Sequence, residues 1–95
     1  EQMQSQKNYP NFFMPFIREA LQDYLKELYT HFVNHDMPRL HGVAKKLQGM
    51  AQLGCFSRLE ELTRKLIAMQ DYQEEEGSQI LSQLDNEIER ILSHL

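Results

Sequence analysis

The sequence predicts an all-α fold, an antiparallel up-down bundle of four principal helices. Three observations carry this reading. Apolar residues recur at steps of three and four through most of the chain. Strand-like alternation is absent and β-branched residues are sparse. The connections between the periodic stretches are short, which makes consecutive helices antiparallel neighbours. At 95 residues the chain has material for one hydrophobic core and no second.

Taken in order, residues 1–8 are polar and aperiodic, and read as a leader or the end of a linker. The domain itself spans 9–95. Aromatic residues cluster at Tyr9, Phe12, Phe13 and Phe16, where a short helical cap over 11–14 is expected. The first long helix covers 15–34, opened by Pro15 in its first turn. Ile17, Leu21, Tyr24, Leu25, Leu28 and Phe32 form its apolar stripe. Asn34 is the residue expected to take the left-handed conformation that ends it.

Asp36 is the N-cap of the second helix, 37–53, with Pro38 in the first turn. Leu40, Val43, Ala44, Leu47, Met50 and Ala51 are its buried stripe. Gly54-Cys55 breaks the pattern, and Ser57 to Glu60 has the S-x-x-E form of a capping box. The third helix, 57–70, points Leu59, Leu62, Leu66, Ile67 and Met69 inward. Glu74, Glu75 and Glu76 suit a helix N-terminus and open the fourth, 75–94, with Ile80, Leu81, Leu84, Ile88, Ile91, Leu92 and Leu95 on its apolar side. Leu25, Leu28, Val43, Leu47, Leu62, Leu66, Leu84 and Ile88 are the expected centre of the core.

Composition excludes several classes of function. A net charge of −4 argues against nucleic acid as the main partner, because phosphate neutralisation needs a basic surface. No apolar run approaches the ~20 residues of a membrane span. Cys55 stands alone, so neither an internal disulfide nor a cysteine zinc cluster is available; a buried or half-buried structural thiol is expected. No glycine-rich phosphate loop is present, which argues against ATP binding. His31 and His35 have the i, i+4 spacing of paired metal ligands, but a zinc site needs a third ligand, and the helix-end dipole already favours histidine there. No catalytic residue, cofactor or metal is therefore assigned.

The second helix holds the one specific signal. Gly49 lies inside a strongly periodic stretch, where it costs ~1 kcal/mol relative to alanine. Such a cost points to packing or access. His41, Lys45, Gln48 and Gln52 form a polar column on the same side, and Ala44 beside Lys45 is small. The six residues His41, Ala44, Lys45, Gln48, Gly49 and Gln52 describe a shallow, open, polar patch for a partner.

The stretch from Ala44 to Gly49, followed by Met50-Ala51-Gln52-Leu53-Gly54, resembles the histidine-containing phosphotransfer domain of bacterial phosphorelays. The likeness runs from about Phe12 to Leu95, with Asp36 matching an acidic residue before the motif helix and Leu59, Leu62 and Leu66 matching the next bundle helix. The resemblance implies a signalling module that docks the receiver domain of a response regulator. It also implies a cytoplasmic place, including that of the C-terminal domain of an inner-membrane hybrid sensor kinase. The receiver would supply the acidic pocket and the divalent metal. No membrane insertion of this domain is implied, and a monomer or weak homo-oligomer is expected.

One departure matters. Aligning Gly49 places Lys45 in the phosphoacceptor slot and Gln48 in the slot of the family's lysine, with the second glycine one position early. Neutral imidazole has a free lone pair near pH 7, whereas a solvated ammonium, of ordinary pKa ~10.4, has none. A domain degenerate for phosphotransfer is therefore expected unless His41, one turn before Lys45, acts as phosphoacceptor. Two alternatives stand beside the relay: a non-catalytic module that binds or sequesters receivers, with Lys45 facing the partner's carboxylates, and a structural bundle that oligomerises through Tyr9, Phe12 and Phe13.

Overall fold

The computed structural model describes residues 13–94. Four helices account for nearly all of them: α1 (Phe13–Val33), α2 (Met37–Leu53), α3 (Ser57–Ala68) and α4 (Glu74–Ser93). Each helix packs on its neighbour in sequence, and α1 closes the ring against α4; the backbones of α2 and α4 stay apart across the ring. Side-chain contacts fix the directions of two pairs. Arg18 near the start of α1 donates to the Leu92 carbonyl near the end of α4 at 3.3 Å, and Tyr29 further along donates to Asp85 at 3.5 Å. α1 and α4 are therefore antiparallel. His41 and Gln52, at opposite ends of α2, reach Met69 and Glu60, so α3 runs antiparallel to α2.

The core follows the apolar stripes read from the sequence, with Tyr24, Met50, Ile67 and Leu92 only half-buried at its margin. Ile17, Leu21, Leu28, Leu40, Leu47, Leu59, Leu62, Leu66, Leu81, Leu84 and Ile88 are closed to solvent. Burying a leucine or isoleucine side chain contributes about 1.5–3 kcal/mol each, which outweighs the modest helix propensities of these segments. Leu25 departs from the expectation: it is only half-buried, at the edge between α1 and α4. Thr63 and Glu87 are buried without having been read as core. Thr63 satisfies its hydroxyl by donating to the Glu60 carbonyl at 2.7 Å. The Glu87 carboxylate pairs with Arg90, whose guanidinium is held above its ordinary value by that hydrogen bond and that charge.

Helix ends differ from expectation in instructive ways. The left-handed residue after α1 is His35, with φ 57°, and not Asn34. Its N–H bonds the Phe32 carbonyl while the Asp36 N–H bonds that of His31, the paired closure of a Schellman motif. The His35 ring then stacks on Tyr72 with centroids 3.7 Å apart. The same closure ends α2, where the left-handed residue is Cys55, φ 60°, and not the adjacent Gly54. Gly54 instead makes room for a neighbour: a Cβ there would stand 2.6 Å from Cε2 of the Phe56 ring, which would have to move. Cys55 is exposed, so its thiol is not the buried or half-buried one expected.

Asp36 caps α2 through the Arg39 N–H at 3.3 Å, with Pro38 in the first turn, as read. The capping box at Ser57 does not form. Phe56 takes the N-cap position without a side-chain hydrogen bond, Ser57 is already helical, and Glu60 turns outward to Arg64 and Gln52. The fourth helix begins with the three glutamates. Residues 13 and 14, expected in a separate cap, belong to the first turn of α1. The leader at 1–8, the aromatic residues Tyr9 and Phe12, and Leu95 lie outside the described residues.

Candidate functional site

The side of α2 turned away from the core is the surface to which the sequence directs attention. Leu40, Val43, Ala44, Leu47 and Ala51 face inward, so positions half a turn away face solvent. These are Gly42, Lys45, Lys46, Gly49, Gln52 and Leu53. Space above Gly42 and Gly49 is open, with nothing within 4 Å of where a Cβ would stand. Neither lysine is in an ion pair among the described residues. Leu53 completes the surface at its C-terminal end and is 71% exposed.

The six residues read as a patch separate into three groups. Lys45 and Gly49 lie in the open. Gln48 is half-buried, and Gln52 is exposed with its amide donating to the Glu60 carboxylate at 2.9 Å. That bond, followed by the Arg64 charge, holds Glu60 below its ordinary value. Ala44 is the correction: it is fully buried in the core, on the opposite side of α2, and cannot touch a partner. Its place in the apolar stripe, 40-43-44-47-51, already indicated this. Gly42, Lys46 and Leu53 belong to the open surface and were not read as site residues. Gly42 carries the same signal as Gly49, two turns away.

His41 is half-buried at the edge of α2 that faces α3, and its Nε2 lies 2.7 Å from the Met69 carbonyl oxygen. A carbonyl only accepts, so Nε2 carries the proton and donates. In the neutral ring the lone pair is then left on Nδ1. The imidazole fastens the end of α3 to the start of α2, and the nitrogen engaged in that task is unavailable as a nucleophile while the bond holds.

Electrostatics set this surface apart from the rest of the bundle. α2 contains Arg39, Lys45 and Lys46 and no carboxylate between Met37 and Leu53. α4 contains Glu74, Glu75, Glu76, Asp85, Glu87 and Glu89 against Arg90. Because α2 and α4 sit across the ring from each other, a chain of net charge −4 presents one basic side and one acidic side.

Elsewhere the described residues offer little for chemistry. No group of three or more His, Cys, Asp or Glu side chains is placed to hold a metal ion among them. His35, one of the two histidines with metal-ligand spacing, is engaged with the Tyr72 ring. Among the described residues, no helix is long and apolar enough to cross a membrane. What the fold and surface define is a small four-helix domain with a flat, basic helix face. No protein-family model matches the chain, and no curated protein or solved structure matches it.

Proposed function

We propose that the domain is a phosphotransfer-type signalling module that docks the acidic face of a response-regulator receiver and does not itself relay the phosphoryl group. The observation that carries this is the outer side of α2: two glycines with open space above them, flanked by two lysines outside any described ion pair. Bare backbone lets another surface approach closely, and unpaired ammonium groups favour carboxylates on the partner. The likeness of the segment around Gly49 to the phosphotransfer family supports the choice of receiver.

The same surface supports docking without transfer. Lys45 occupies the acceptor slot as an exposed amine, and the nearest histidine, His41, spends Nε2 on Met69. A receiver held at Lys45 therefore meets a positive charge where a relay needs a nucleophile. The test is to mix the domain with receivers of its source organism, with and without phosphorylation, and to measure binding and acid-labile label together. Binding without label is the expected result. Label that disappears with His41→Ala would restore His41 as phosphoacceptor, and label lost with Lys45→Ala but kept with His41→Ala would overturn the acceptor argument.

A further inference from the structure

On the acidic side of the bundle, α1 and α4 leave an open groove of about 440 Å³. Its floor is apolar, formed by Leu25, Ile88 and Leu92, and its rim carries Asp23, Asp85 and Glu89 with one opposing amine, Lys26. We infer that this groove receives the outer face of α2 from a second copy of the chain, so that the domain associates head to tail through its basic and acidic sides.

Charge and spacing both fit. The groove presents three carboxylates, and α2 brings Lys45 and Lys46 with no carboxylate of its own. Leu53, 71% exposed, supplies an apolar side chain for an apolar floor. From Lys46 to Leu53 is two helical turns, ~10 Å, and from Asp85 to Leu92 is the same interval. Laid parallel, Lys46 meets Asp85 while Leu53 meets Leu92. Gly49 then faces Ile88, where its missing side chain admits the second helix. The two surfaces share no residue, one being the outer face of α2 and the other the cleft between α1 and α4, so one copy offers both at once, and the contact is heterologous. Self-association and receiver docking would use the same face of α2 and exclude each other, but the inference does not depend on the receiver.

Sedimentation of the full 95-residue chain up to millimolar concentration tests it. At low salt the wild type should rise above the 11.3 kDa of one chain, and at ~0.5 M salt the rise should shrink as exposed charges are screened. Lys45→Glu/Lys46→Glu and Asp85→Lys/Glu89→Lys should each weaken association by about tenfold or more, with helicity by circular dichroism unchanged. An equimolar mixture of the two double variants should associate again, because the acidic α2 of one now meets the basic groove of the other. A wild type that stays at one chain mass overturns the inference and leaves the groove to a basic helix of another protein. Association that ignores salt, or a mixture that stays monomeric, places the contact elsewhere and overturns it equally.

Discussion

The Nε2 of His41 donates to the carbonyl oxygen of Met69 across 2.7 Å, joining the second turn of α2 to the residue that ends α3. The bond spans 28 residues of sequence and fixes both the tautomer and the direction of the ring. His41→Ala should therefore destabilise the fold by about 1 kcal/mol or more, since a half-buried carbonyl loses its donor. His41→Gln, whose amide N–H still donates, should cost less. Nitrogen chemical shifts of the neutral ring should show the proton on Nε2; a proton on Nδ1 would contradict the assignment.

Two of the glycines make opposite predictions. A Cβ on Gly77 would stand 2.6 Å from Cζ of Phe32, a buried ring also packed against Tyr72. Gly77→Ala should therefore destabilise by about 1–3 kcal/mol, the usual cost of overpacking. Gly49→Ala meets nothing and lies mid-helix, so it should stabilise by up to ~1 kcal/mol. Thermal denaturation of the two single variants separates the cases.

Within the core, Leu28→Ala, Leu47→Ala, Leu62→Ala and Leu84→Ala each remove a fully buried side chain and should cost about 2–5 kcal/mol. Leu25→Ala, at the half-buried edge of α1, should cost clearly less. Denaturant titration reads both. Equal losses would mean that Leu25 is covered in solution, as self-association through the α1–α4 groove would cause, and repeating the titration at high dilution distinguishes that case.

Most of the fold was legible because helix period and burial coincide. The stripes of α2, α3 and α4 predicted from spacing lie on the buried sides, apart from Met50, Ile67 and Leu92, which are half-buried at their margins, and Asp36 caps α2 where expected. The ends were harder to read. Asn34 and Gly54 are the residues that local propensity selects for a left-handed turn, yet tertiary contacts put His35 and Cys55 there: the His35 ring stacks on Tyr72, and Gly54 makes room for Phe56. Ser57 loses its capping role because the chain turns at Cys55 and leaves Phe56 to open α3. At the site, Lys45 and Gly49 were readable as outward because they oppose the apolar stripe. Ala44 was misplaced because smallness alone does not tell a bare surface from a tight interior. The tether from His41 to Met69 joins distant segments, and no local pattern announces it.

Acid should weaken the α2–α3 contact through Glu60. Its folded value lies below the ordinary one, chiefly through the Gln52 hydrogen bond and then through Arg64. A carboxyl depressed in the folded state contributes stability that is present above its unfolded value and is lost as pH falls through the folded one. Stability of the wild type should thus decline over that acidic window, and Glu60→Gln should flatten this part of the profile. A profile unchanged by the substitution would contradict the role given to Glu60.

The central claim is that the outer face of α2 is a docking surface for an acidic receiver, and amide chemical shifts of the labelled domain test it most directly. On titration with a receiver, the shifts should move at Gly42, Lys45, Lys46, Gly49 and Leu53. Gly49→Leu should reduce the affinity by blocking close approach, and Lys45→Glu should reduce it most at low salt. Shifts confined to α1 and α4, or no shifts with any receiver tried, would contradict the claim.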